Sequence, residues 1–271
     1  MFLVYNGDVI AETVFSLSVN DRAFQYGDGF FETIRYEQGR LYSWPDHANR
    51  LQEGLKALQL TLPDNVPVTG LPQLIRQSIE INQLQLQTAR IKLQIWRQPG
   101  GLYTPGTHQA NVLITARLGQ PFAISTHRHV GIFDAVRLSV SPLSGIKTLN
   151  ALPYVLAGLA KQEGNHDDML LLDQAGHLAE CIATNLFWFQ GNQLVTPSLA
   201  TGCINGITRR RLLRLFPDTQ QGLFTPDVLA NADAVFAANV AGIQFFTQWG
   251  APDRIQYWTS TLGRLLASSE S

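Results

Sequence analysis

Four groups along the chain combine a reactive or charged side chain with a setting that makes it costly to leave idle. Lys147 stands in Ser144-Gly-Ile-Lys-Thr-Leu-Asn150, between a glycine-containing loop and a mostly apolar segment, in a chain with few lysines. An amine held among apolar groups binds its proton less tightly, and the neutral form can attack a carbonyl to form a Schiff base. A surface lysine with its stem laid along a helix is the plainer reading. Glu180 precedes a run, Leu186 to Phe189, too apolar for a surface. A carboxylate there needs a partner, and a protonated pyridine nitrogen would serve; a glutamate accepting backbone N–H bonds in the turn after Gly176 is the alternative. In Thr201-Gly-Cys-Ile-Asn-Gly-Ile-Thr-Arg-Arg210, two glycines lead into a helix whose opening N–H groups and dipole suit a phosphate, with the Thr208 hydroxyl as a further donor. An ordinary helix cap has the same look. Arg50 can clamp a phosphate through paired hydrogen bonds, or it can be a solvated helical arginine.

The elements that must carry these groups follow from periodicity. The first residues read as a strand running into a turn at Asn6-Gly7. Phe30 to Tyr36 and Arg40 to Trp44 read as strands joined at Glu37-Gln38-Gly39. A helix is expected from an N-cap at Asp46 to about Leu60, with Ala48, Leu51, Leu55 and Leu58 on one face and Arg50 opposite Leu51 and Leu55. A second helix carries Leu71, Leu74, Ile75, Ile79 and Leu84; strands follow at Arg90 to Arg97 and Asn111 to Ala116. The second half reads as a strand at Ala135 to Val140 and a helix from about Asn150 to Gln162 with Leu152, Val155, Leu156 and Leu159 inward. Strands at Met169 to Asp173, Leu186 to Phe189 and Gln193 to Val195, a helix at Ile207 to Phe216 and a buried strand at Ala234 to Ala238 complete it. This is an α/β mixture of the α+β kind. It divides into an N-terminal α/β domain, 1–117, a linker, 118–126, and a C-terminal domain, 127–271.

Composition narrows the function. The 271 residues are 45% hydrophobic and 15% charged, a folded rather than disordered profile. Twenty basic and 21 acidic side chains nearly cancel, without the basic excess of a nucleic-acid binder. No run approaches the roughly 20 apolar residues of a membrane helix, and the N-terminus does not read as a signal peptide. Two cysteines, Cys181 and Cys203, specify no disulfide framework, so the cytoplasm is the expected compartment. No metal site is expected.

Taken in order, these segments resemble the class IV aminotransferases, which include branched-chain aminotransferases, D-amino-acid aminotransferases and 4-amino-4-deoxychorismate lyases. The resemblance runs through Asn20-Asp-Arg-Ala-Phe-Gln-Tyr-Gly-Asp-Gly-Phe-Phe-Glu-Thr-Ile-Arg35, His47-Ala-Asn-Arg-Leu51, Ile146-Lys-Thr-Leu-Asn150, Glu180 with Asn185-Leu-Phe187, and Gly206-Ile-Thr-Arg209. It implies pyridoxal 5′-phosphate (PLP) in a cleft between a smaller N-terminal and a larger C-terminal domain of a fold type IV enzyme, usually a homodimer. By position, Lys147 matches the Schiff-base lysine and proton carrier, and Glu180 the carboxylate facing the pyridine nitrogen. Arg50 and the helix opening at Gly206, Ile207 and Thr208 match the phosphate holders, and Ile204 the aliphatic residue against the ring. The Asn239-Val240 loop matches another phosphate contact, with Val240 where some members carry threonine. Tyr26 is a candidate for the residue that reaches the partner subunit's site.

Trp96-Arg97-Gln98-Pro99-Gly100-Gly101-Leu102-Tyr103 partly resembles the loop of the deoxychorismate lyases, with Arg97 as holder of a substrate carboxylate. The Arg-x-His pair of D-amino-acid aminotransferases is absent from it, and Gln94, Ile95 and Trp96 do not reproduce the Tyr-x-Arg pair of branched-chain enzymes. The resemblance thus implies a small amino substrate and, first, conversion of 4-amino-4-deoxychorismate to 4-aminobenzoate and pyruvate. A branched-chain or other transaminase is the second reading, and a binding protein on the same fold the third.

Overall fold

The computed structural model of the chain describes residues 1–268, which form two compact units: residues 1–121 with 146–150, and residues 122–145 with 151 onward. The chain leaves the second unit after Gly145, contributes Ile146–Asn150 to the first, and returns at Ala151. Lys147 thus belongs structurally with the N-terminal residues, although its sequence position puts it in the C-terminal half.

The first unit is a six-stranded antiparallel sheet. Its strands are β1 (Phe2–Tyr5), β2 (Asp8–Ala11), β3 (Gly29–Glu37), β4 (Arg40–Leu41), β5 (Ala89–Arg97) and β6 (Ala110–Leu118), in the order β2-β1-β6-β5-β3-β4. Three helices accompany it: α1 (Arg22–Tyr26), α2 (Trp44–Ala57) and α3 (Leu71–Ile81). Alternation along β3 and β5 sends Phe30, Ile34, Ile91, Leu93 and Ile95 to one face, where they meet Leu51 of α2 and Leu71, Ile75 and Ile79 of α3. Gly54 lets α2 come close, since a Cβ there would lie 2.7 Å from the Phe30 ring. α2 begins before the expected cap at Asp46: Ser43 takes the N-cap position and Pro45 opens the first turn, where it loses no helical hydrogen bond. The strand expected to run to Trp44 accordingly stops at Leu41.

The second unit holds a larger mixed sheet built from β7 (Ala123–His127), β8 (Val130–Leu138), β9 (Asp168–Asp173), β10 (Leu178–Cys181), β11 (Asn185–Gln190), β12 (Gln193–Pro197), β13 (Gln220–Gly222), β14 (Ala234–Asn239) and β15 (Gly242–Gly250). The main path runs β7-β15-β14-β11-β10-β9-β8, with β12 pairing β11 and β13. Its helices are α4 (Leu152–Glu163), α5 (Ile207–Leu215) and α6 (Pro252–Ser268). Phe187, Phe189, Phe236 and Phe245 pack with Leu212 of α5 and Ile255, Trp258 and Leu262 of α6. The segment expected to be a plain linker contains β7, paired in parallel with β15. Among the described residues no helix is long and apolar enough to cross a membrane.

The face of α4 is a correction. Leu152, Val155, Leu156 and Leu159, expected to point inward, are 66%, 54%, 44% and 51% exposed, whereas Ala157 is buried with Phe133, Leu138, Met169 and Leu171. Small residues set the close approach of α4 to β8 and β9, and the leucine stripe turns the other way. Periodicity locates a stripe but does not say what covers it.

Candidate active site

In the first unit, Lys147 is placed by backbone pairing with the start of β3. The Phe31 N–H donates to the Lys147 carbonyl at 2.8 Å and the Leu149 N–H to the Gly29 carbonyl at 2.9 Å, with a bridge between Phe30 and Thr148. The segment therefore extends the sheet edge, which fixes the lysine backbone while its side chain remains partly exposed. Its Nζ lies 5.3 Å from the centroid of the Phe31 ring. A second amine, on Lys92 of β5, lies 5.0 Å from the same centroid, and burial, with the Arg90 charge adding to it, lowers the Lys92 pKa. The strand register explains the meeting: Thr33 is opposite Lys92 and Phe31 opposite Gln94, so Phe31 and Lys92 point to the same face. Sequence reasoning misses Lys92, although its parity with Phe31 follows once the two strands are paired.

Arg50 is not a solvated helical arginine. It is 3% exposed, and its Nε and Nη2 donate to Oε1 and Oε2 of Glu32 at 2.7 and 2.6 Å. His47, one turn earlier on α2, bonds through Nδ1 to Glu32 Oε2 at 2.6 Å, and its Nε2 is buried without a hydrogen-bond partner. Burial alone would raise the Glu32 pKa, but the Arg50 charge and the hydrogen bonds from His47 and Arg50 outweigh it and hold the group at about 2. Sequence reasoning misses Glu32 as well. The signal is its parity on β3, which it shares with Phe30, Ile34 and Tyr36, all buried.

Arg97 has a different task from the one expected. Its Nε donates to Asp28 at 2.9 Å, Nη2 to the Leu58 carbonyl at 2.6 Å and to Asp28 at 3.5 Å, and Nη1 to the Gln59 and Thr107 carbonyls at 3.4 and 3.3 Å. Asp28 also accepts from Arg22 Nε at 2.7 Å, and Arg22 Nη1 reaches the carbonyls of Gly100, Gly101 and Leu102. All five N–H donors of Arg97 are thus aimed at protein oxygens, and the residue is 5% exposed. It ties the loop after β5 to the sheet rather than presenting a fork to substrate. Tyr26, at the end of α1, lies under the Arg22 guanidinium and 5.7 Å from the ring of Tyr103.

In the second unit, Glu180 sits within its own strand, β10, opposite Asn185 of β11, rather than in the turn before a strand. It is 3% exposed and accepts from the Tyr154 hydroxyl at 2.7 Å, the Ile204 N–H at 3.1 Å and Asn185 Nδ2 at 3.2 Å. Burial, and then the Glu180 charge, raise the Tyr154 pKa, so the phenol keeps its proton and donates it. Asn185 also donates to the Ile204 carbonyl at 2.8 Å, which joins the carboxylate to the loop entering α5. α5 opens at Gly206 with no side-chain cap, leaving its first N–H groups to other acceptors; a Cβ on Gly206 would clash with Asn185 Oδ1. Ile207 and Thr208 are buried at this opening. Asn239 and Val240 stand at the turn between β14 and β15, where the Asn239 side chain bonds the Ala183 carbonyl and the Ala241 N–H. Tyr154 and Asn185 are the partners that sequence reasoning misses. A buried carboxylate and an uncapped helix start joined by one loop fit a cofactor with a protonated ring nitrogen and a phosphate. Among the described residues, no group of three or more His, Cys, Asp or Glu side chains could hold a metal ion.

Comparison with known proteins adds to this. The chain is 30% identical over 230 residues to the aminodeoxychorismate lyase of Vibrio harveyi, covering 82% of each chain. The solved structure of 4-amino-4-deoxychorismate lyase from Pseudomonas aeruginosa matches with a TM-score of 0.73 at 25% identity, over 90% of each chain. The branched-chain aminotransferase of the archaeon Thermoproteus uzoniensis, solved with norvaline, matches in fold with a TM-score of 0.87 at 22% identity, over 100% of this chain and 96% of that one. The family model "Amino-transferase class IV" matches residues 29–249. The chain therefore belongs to the class IV amino-transferases, a family of PLP-dependent enzymes.

Proposed function

We propose that the protein is a lyase that converts 4-amino-4-deoxychorismate to 4-aminobenzoate and pyruvate. The observation that carries this choice within the family is the 30% identity to the Vibrio harveyi lyase over 82% of both chains. Bound PLP supplies an electron sink for a carbanion next to the substrate nitrogen. The Lys147 amine holds the cofactor and takes the proton from the substrate carbon that bears that nitrogen. Glu180, held by Tyr154, Asn185 and the Ile204 N–H, keeps the ring nitrogen protonated. Arg50 in the first unit, and in the second the opening of α5 at Gly206, Ile207 and Thr208, would be the phosphate holders, with Ile204 as the aliphatic residue for the ring and the Asn239-Val240 turn as a further backbone donor. Lys92, whose amine like that of Lys147 lies near the Phe31 ring, offers a cation to a substrate carboxylate in place of Arg97. Aromatisation of the product drives the loss of pyruvate.

Purified protein loaded with PLP and given 4-amino-4-deoxychorismate should release 4-aminobenzoate and pyruvate in equal amounts with no keto acid added. Absence of both products, together with amino transfer to 2-oxoglutarate, refutes the lyase reading. The second reading, a transaminase for apolar amino acids, is favoured by the higher structural similarity to branched-chain aminotransferases. It requires conversion of the cofactor to its pyridoxamine form by amino donor alone.

We also propose a homodimer. The exposed row of Leu152, Val155, Leu156 and Leu159 on α4 is the kind of apolar stripe that a second copy covers. Tyr26 remains the candidate for a residue that crosses to the partner's site.

A further inference from the structure

We propose that Glu32 is a positioning residue for the phosphate, acting through Arg50, with His47 fixing Glu32 in turn. This rests on the reading that Arg50 holds the phosphate. A carboxylate that accepts from both Nε and Nη2 of one guanidinium fixes the plane and rotation of that group, because the two parallel bonds leave it no free torsion. The opposite edge, carrying Nη1, is then turned away from Glu32. An arginine on a helix otherwise samples many rotamers, and ordering it on ligand binding costs conformational entropy. Glu32 meets that cost in the protein before the ligand arrives.

A negative charge beside an anion site is unfavourable unless it serves geometry. Arg50 and Glu32 are 3% and 1% exposed, so their attraction is little weakened by water. His47 Nδ1 must carry its proton to bond an ionised Glu32, which keeps the second carboxylate oxygen from swinging. The same arrangement leaves His47 Nε2 buried and unpartnered, a mark of a polar cluster that an outside group or an ordered water completes.

The test compares PLP with pyridoxal, which lacks the phosphate, by equilibrium binding to apo protein. The proteins are the wild type, Glu32→Gln, Arg50→Gln and the double variant. Glu32→Gln should weaken PLP binding tenfold or more and leave pyridoxal binding within about twofold, and the double variant should bind PLP no more weakly than Arg50→Gln. Should Glu32→Gln fail to fold, Glu32→Asp, which keeps the charge but withdraws it by one methylene, should show the same phosphate-specific loss in smaller degree. Equal loss of PLP and pyridoxal affinity, or full retention of PLP affinity in Glu32→Gln while Arg50→Gln loses it, overturns the role of Glu32 alone. An Arg50→Gln variant that keeps the wild-type gap between PLP and pyridoxal overturns the phosphate reading of Arg50 and this proposal with it.

Discussion

Acidification should cost this protein stability through Glu32, and the size of the effect follows from its surroundings. The Glu32 pKa falls from 4.5 to about 2 on folding because the Arg50 charge and the hydrogen bonds outweigh burial. A group whose pKa is depressed in the folded state adds stability above its unfolded pKa and loses it as pH falls through the folded one. The window is therefore about pH 4.5 down to 2. A shift of this size corresponds to about 3 kcal/mol, with about 2 kcal/mol gone by pH 3. Glu32→Gln removes the titration and the buried charge that Arg50 and His47 bond, so the variant should be about 3–5 kcal/mol less stable at pH 7. Urea denaturation at pH 7 and pH 3 measures both effects. The stability gap between wild type and Glu32→Gln should narrow by about 2 kcal/mol at the lower pH. Parallel losses, with the gap unchanged, refute the claim that this carboxylate is ionised and paired in the fold.

Arg97→Met should lower the unfolding free energy read from urea denaturation by the several kcal/mol that breaking a buried ion pair costs, while leaving KM in the folded fraction near wild type; a large KM rise with unchanged stability would restore Arg97 to the substrate. Lys92→Met should raise KM for a dicarboxylate substrate tenfold or more at unchanged melting temperature, and an unchanged KM removes Lys92 from the site. Tyr154→Phe deletes a charge-assisted hydrogen bond to Glu180 and should cost about 1.5–3 kcal/mol, read from denaturation; no change means that the bond contributes nothing net. Val155→Glu on the exposed face of α4 should convert a dimer to monomer in sedimentation, and a dimer that persists places the interface elsewhere.

Some of this is legible in the sequence, and the rest is concealed for identifiable reasons. Gly206-Ile-Thr208 announces a helix opening because glycine and the following apolar period are local signals, and α5 starts there. Lys147 can be singled out by type, but its attachment to β3 joins residues over a hundred positions apart, which no local pattern reports. Glu180 is recognisable as a residue needing a partner, whereas Tyr154 and Asn185 meet it only through strand pairing and the approach of α4. Arg50 and Arg97 look alike when read from charge alone, yet the fold gives their guanidinium groups different partners: Arg50 bonds Glu32 within the buried group that includes His47, and Arg97 bonds Asp28 together with the Leu58, Gln59 and Thr107 carbonyls. The leucines of α4 show the remaining limit, because an apolar stripe has the same spacing whether it faces a core or another molecule.

The most direct test is to load the protein with PLP, reduce it with borohydride, and locate the fixed cofactor by peptide mass spectrometry. The account predicts a single phosphopyridoxyl adduct on the peptide carrying Lys147, with no adduct in Lys147→Ala. An adduct on Lys56, Lys92 or Lys161 of the wild type, or no stable adduct at all, contradicts it.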